Sequence, residues 1–165
     1  MKRTLILLAA VTLAGCSPMP GGEPDVIGGE FRSTAVLSDG FAAEAERSEG
    51  SGWSFTLTAP ETVKGLSLAY FDDGKCTVTF EGHSGVYMRE QLPEYGELDL
   101  IASALEMCIK DRGVTASVSG EKTVRTGAVR GIGFTVTSEG GRIEKIELNG
   151  GGTAEFGTEI MKNEQ

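Results

Sequence analysis

Histidine is nearly absent from this chain: His83 is the only one in 165 residues. A Ser-His-Asp constellation needs a histidine within reach of its nucleophile. On an extended strand His83 and its neighbour Ser84 point to opposite faces, so one cannot serve the other as a base. A histidine-based zinc site fails for want of ligands. Long apolar runs are missing too. The longest, Leu5 to Ala14 (LILLAAVTLA), falls short of the about 20 residues that cross a bilayer as a helix. Positive charge is scarce, with 15 Lys and Arg against 24 Asp and Glu and a net charge of −9. Such a body is repelled by nucleic acid, and no nucleic-acid partner is expected. The charges are scattered rather than blocked, which describes a solvated surface.

Other chemical signatures fail in the same way. Gly82-His83-Ser84-Gly85-Val86 carries Val86 where a nucleophile elbow needs its final glycine. Asp72-Asp73-Gly74 lacks the spaced acids of a calcium loop and is a hairpin turn. Gly131-Ile132-Gly133 opens a strand rather than a helix and cradles no phosphate. No spacing singles out a pair of carboxylates. The chain is therefore expected to be no enzyme, with no metal and no cofactor.

What is present begins at the amino terminus. Lys2 and Arg3 precede the short apolar run, and small residues follow it, the order of an export signal. Leu13-Ala14-Gly15-Cys16 resembles the lipobox of bacterial lipoproteins. The small Ala14 and Gly15 suit a peptidase cleft, and only a thiol at the next position forms the thioether to diacylglycerol. The resemblance implies a signal peptide over residues 1–15, lipidation of Cys16 and a membrane as partner through that lipid. Ser17 beside the lipidated cysteine permits an outer-membrane destination in a two-membrane cell. In a one-membrane cell the lipoprotein sits on the outer face of the cell membrane. Residues 16–29, with Pro18, Pro20, Gly21, Gly22 and Pro24, are expected to be a flexible tether.

From Phe31 onward the period is two. Trp53 to Thr58, Cys76 to Phe80, Val114 to Val118 and Ile132 to Val136 all alternate apolar with hydroxyl or small residues. Asp39-Gly40, Asp72-Asp73-Gly74, Ser119-Gly120, Glu139-Gly140-Gly141 and Asn149-Gly150 supply the turns between them. The alternation weakens between Thr123 and Gly131. One segment departs from this pattern: Leu98, Ile101, Ala102, Leu105, Cys108 and Ile109 recur at helical spacing, predicting a helix from Leu98 to Arg112 capped by Gly113. A shorter helical turn is expected at Pro60 (PETVKG). The expected fold is a single α+β domain over residues 30–158, a large antiparallel meander with one main helix on one face, and a tail over residues 159–165.

The element order carries a resemblance. A hairpin from Phe31 to Arg47, a strand ending in Thr58-Ala59-Pro60, the hairpin GLSLAYFDDGKCTVTFEG, an apolar helix and closing hairpins resemble the outer-membrane lipoprotein-carrier superfamily of the LolA/LolB/LppX type. The resemblance covers most of residues 30–158. It implies a curved half-barrel whose helix lids the concave side, with an apolar ligand or acyl chain held between them. The apolar strand phase, Trp53, Phe55, Leu57, Leu68, Tyr70, Val78 and Phe80, is the candidate lining, opposed by Ile101, Leu105 and Cys108. The alternative is that these residues pack on one another as a closed core in a structural or protein-interaction lipoprotein.

Cys76 and Cys108 remain once lipidation takes Cys16. Cys76 shares the phase of Val78 and Phe80, and Cys108 lies on the helical stripe. If those faces pack, a disulfide worth about 3–4 kcal/mol becomes possible. Otherwise both are buried thiols acting as small apolar residues. The lipid anchor has a direct check: Cys16→Ala should abolish incorporation of labelled lipid into the exported chain, and continued labelling would exclude Cys16 as the site.

Overall fold

A computed structural model describes residues 22–157 apart from 49, 51 and 93–95. The signal peptide, Cys16 and the 159–165 tail lie outside the described residues. The order is β1 (Phe31–Leu37), β2 (Ala42–Ser48), β3 (Gly52–Ala59), β4 (Ser67–Tyr70), β5 (Lys75–Phe80), β6 (His83–Met88), α1 (Glu97–Ile109), β7 (Val114–Ser119), β8 (Lys122–Val129), β9 (Ile132–Glu139), β10 (Arg142–Leu148) and β11 (Gly152–Phe156). All eleven strands form one open antiparallel sheet ordered β6-β5-β4-β3-β2-β1-β11-β10-β9-β8-β7. This is an α+β half-barrel-like fold. The chain meanders from β1 out to β6, crosses the face as α1, and meanders back from β7. β11 then pairs with β1 (Ala35 opposite Phe156), so the two ends of the domain meet mid-sheet.

The register keeps one inner face continuous. Ala45 stands opposite Phe55, Phe55 opposite Leu68, Tyr70 opposite Cys76, and Val136 opposite Ile146. A slip of one residue would turn any strand's apolar set outward, so burial of this face fixes the pairing. Small side chains, Ala35, Ala43, Ala45 and Ala154, occupy the central strands and are at most 1% exposed. They leave room for α1, whose Ile101, Ala104 and Leu105 are wholly buried against the sheet.

Charged contacts fix where α1 lies. Near its end, Glu106 accepts hydrogen bonds from Arg47 Nε at 2.9 Å and Nη2 at 3.0 Å, and from the indole of Trp53 at 3.2 Å. Lys110 pairs with the same carboxylate at 2.9 Å. At the other end the buried Asp99 takes Arg89 from the segment after β6 and Arg130 from the β8–β9 turn, Arg130 at 2.6 Å. Both guanidiniums thereby tie the first turn of α1 to distant parts of the sheet.

The helix ends earlier than the spacing predicts. Its last helical residue is Ile109 rather than Arg112; Asp111, with φ 48°, takes the left-handed position next to the helix end, and Gly113, with φ 68°, is left-handed two residues on. The amide of Arg112 closes the end by donating to Met107 O at 2.9 Å. At Pro60 the expected turn is present as a single 3-10 turn, Glu61–Val63.

The packed body also begins before residue 30. Ile27 is only 5% exposed. The Asp25 carboxylate accepts from Arg125 Nη1 at 2.9 Å, Ser138 Oγ at 3.0 Å and the Gly141 amide at 2.7 Å, while its own amide donates to Thr123 Oγ1 at 3.1 Å. Gly141 is required here for two reasons. Its φ is 82°, and a Cβ would sit 2.5 Å from the carbonyl oxygen of Val26. Proline and glycine density describes the chain before Asp25; from Asp25 on, buried polar partners hold it down.

Burial pushes the Glu106 carboxyl up, but hydrogen bonds from Arg47 and Lys110 outweigh it and hold the group down at about 2, from an ordinary 4.5. Its contribution to stability is full above about pH 4.5 and is lost as pH falls toward 2. Glu106→Ala leaves Arg47, itself 8% exposed, without this carboxylate and is expected to destabilise the fold by about 3 kcal/mol at neutral pH. Urea melts of wild type and variant should converge as the pH approaches 2; a gap independent of pH would refute the pairing.

Candidate functional site

The inner face holds a filled core and, under the first turn of α1, an open apolar cavity. A row of rings fills the middle. Phe31 contacts Phe156 and Trp53, each at 5.4 Å between centroids; Trp53 stacks on Phe55 at 6.0 Å; and Phe55 meets the edge of Tyr70 at 6.3 Å. Trp53, Phe55, Ile101 and Leu105 are at most 2% exposed and belong to this packed core. Of the predicted lining, these four therefore close on one another.

Leu57, Leu68 and Tyr70 face the cavity. It has a volume of about 290 Å³ and is otherwise lined mainly by Leu37, Phe41, Leu92, Leu98, Glu97 and Asp99. It opens where the ends of β1 and β3 and the start of β4 pass under the first turn of α1. The helix thus contributes Leu98 to it, rather than Ile101 and Leu105. Val78 packs against the core from its margin, and Phe80, at the far end of β5, neither joins the core cluster nor lines the cavity.

Sequence reasoning missed Leu37, Phe41 and Leu92. Leu37 continues the buried phase of Ser33 and Ala35, and Phe41 stands across the Asp39-Gly40 turn from it. Extending each strand's inner phase to its last residue would have found Leu37. Leu92 lies in the β6–α1 connection, which has no period to read.

The polar wall is built by the same elements. Ser38, in the turn after β1, donates its hydroxyl to Glu97 and accepts the Thr153 amide at 3.2 Å. Arg89 lies over the Tyr70 ring, 5.1 Å from its centroid, while it bonds Asp99 at 2.7 Å and Ser103 at 3.0 Å. Burial pushes the Tyr70 phenol up, so it stays a neutral hydroxyl throughout the physiological range.

The possible disulfide is not formed; Cys76 and Cys108 are separate buried thiols. Cys76 lies on β5, opposite Tyr70 and Tyr87, whereas Cys108 lies on the last turn of α1. Burial raises both thiols, Cys108 to about 12.

Among the described residues no group of three or more His, Cys, Asp or Glu is placed to hold a metal ion. His83 is exposed on β6, and Ser84 faces Thr79 across the hairpin at 2.9 Å between hydroxyl oxygens.

No protein-family model matches the chain, and no curated protein does. Among solved structures it is similar to a LolA superfamily protein from Nitrosomonas europaea, with 11% identity and a TM-score of 0.34. That match covers 72% of this chain and 63% of the other, so it spans less than two thirds of the neighbour's length.

Neutral, buried thiols are poor nucleophiles. Maleimide should label neither Cys76 nor Cys108 at pH 7 in the native body lacking residues 1–16, and both after denaturation. Non-reducing and reducing gels should show the same mobility; a reduction-dependent shift would restore the disulfide.

Proposed function

We propose that this protein is a lipid-anchored lipoprotein of the cell envelope that binds an apolar ligand, such as an acyl chain, between sheet and helix. The observation that supports it is the open apolar cavity under the first turn of α1. A domain able to bury every apolar side chain has no reason to leave Leu37, Phe41, Leu57, Leu68, Leu92 and Leu98 around a common space. At about 290 Å³ the space lies at the lower edge of the about 300–1,000 Å³ of small-ligand sites, which suits one short chain. The role is read as binding rather than catalysis: the Ser38 hydroxyl that meets Glu97 at the wall also accepts the Thr153 amide, which ties this pair into the scaffold.

The lipid on Cys16 would hold this cavity near a membrane, on the outer face of a single cell membrane or at the outer membrane of a two-membrane cell. No helix among the described residues is long and apolar enough to cross a membrane, so the lipid is the proposed attachment. The second reading, a structural or protein-interaction lipoprotein with a packed interior, draws on the closed ring row. That packing limits any ligand to one end of the inner face.

The test is uptake of N-phenyl-1-naphthylamine, which fluoresces in apolar surroundings, by the body lacking residues 1–16. Binding is expected in wild type and a loss of at least about tenfold in Leu98→Trp, whose larger side chain fills the cavity from a half-buried position. No uptake by wild type, together with no lipid in organic extracts of natively purified protein, would favour the packed reading.

A further inference from the structure

From the chemistry of the cavity wall we infer that this site selects apolar chains with a neutral or cationic end and rejects free carboxylates. The inference rests on the binding role proposed above and specifies its ligand class. Among the described residues, the polar side chains that line the cavity are Ser38, Tyr70, Glu97 and Asp99, and no lysine, arginine or histidine lines it. Two are acids, both on the first turn of α1. A helix amino terminus ordinarily favours an anion through its exposed amides and dipole. Here Glu97 and Asp99 already occupy that favourable field with their own negative charge.

The arginines that answer Asp99 do so from outside. Arg89 and Arg130 line a separate cavity of about 470 Å³ with Gly74, Met88 and Glu90. Their charge is directed at Asp99 rather than at the apolar space. Asp99 is 1% exposed, and its Oδ2 faces Arg130 Nη2 as an ion pair without hydrogen-bond geometry. Both Asp99 oxygens are thus engaged by arginines, whereas Glu97 uses one oxygen on Ser38 and has a second. The second Glu97 oxygen is a charged acceptor, so the ligand end that matches it donates: a hydroxyl, an amide or an ammonium. A carboxylate would set its charge beside Glu97, whose partner is the neutral Ser38 hydroxyl, in a site with little water to screen the two, and would find the Tyr70 phenol but no cation among the described lining residues.

The experiment is displacement of N-phenyl-1-naphthylamine by decanol, decylammonium and decanoate, one chain length with three ends, at pH 8 and below their micellar concentrations. Decanol and decylammonium should displace the probe at concentrations at least about tenfold below decanoate. Glu97→Gln keeps an acceptor for Ser38 while removing a charge. It should narrow the decylammonium-to-decanoate ratio by about threefold or more. Decanoate displacing the probe as well as decanol does would overturn the selectivity while leaving apolar binding intact. So would an unchanged ratio in Glu97→Gln. Failure of the probe and of all three ligands to bind would instead remove the binding role, and the selectivity with it.

Discussion

The position of α1 rests on two acids set seven residues apart. Asp99 and Glu106 are separated by two helical turns, so they lie on one side of the helix, and each meets arginines from the sheet or its turns. That constraint matters because α1 is the sole link between the two edges of an eleven-stranded sheet. Apolar packing alone is tolerant of sliding, since one leucine contact replaces another. A bidentate guanidinium contact is not tolerant in this way. Fixing the helix at both ends determines which part of the inner face it seals and which part stays open.

The division that results is a matter of side-chain size. Toward the Glu106 end, the rings of Phe31, Trp53 and Phe55 bridge strand to strand and reach the helix, so nothing is left to fill. Toward the Asp99 end the contributors are leucines on strand ends and a phenylalanine beside a turn. These diverge where the strands splay, and the first helical turn spends two of its side chains on carboxylates. An opening there costs contacts, but the ion pairs beside it keep the roof from collapsing onto the sheet.

Much of this was legible in the sequence. Period-two runs separated by glycine turns gave the meander, and the stretch from Leu98 to Ile109 gave the one helix. The strand between Thr123 and Gly131 was harder to read because its inward positions are Thr123, Arg125 and Gly127. The first two are buried through Asp25, a partner almost a hundred residues earlier in the chain. Periodicity reads apolarity, so a strand buried through polar partners has no readable phase. The same limitation hid the cavity. Trp53 and Phe55 look like lining because they are large and inward, but large rings on neighbouring strands touch, and it is Leu57 and Leu68 that leave a gap.

The clasp at Asp25 has a mechanical consequence. Its bonds run from one residue to β8, β9 and the β9–β10 turn at once, so a pull on the preceding chain is shared among three strands instead of peeling one from an edge. For a chain lipidated at Cys16, Asp25 is the point where the leash becomes rigid body. Eight residues lie between them, a span of at most about 30 Å when fully extended. The domain would therefore work within about one bilayer's thickness of the surface that holds it, close enough to meet the outer leaflet but too short-tethered to cross to a second membrane.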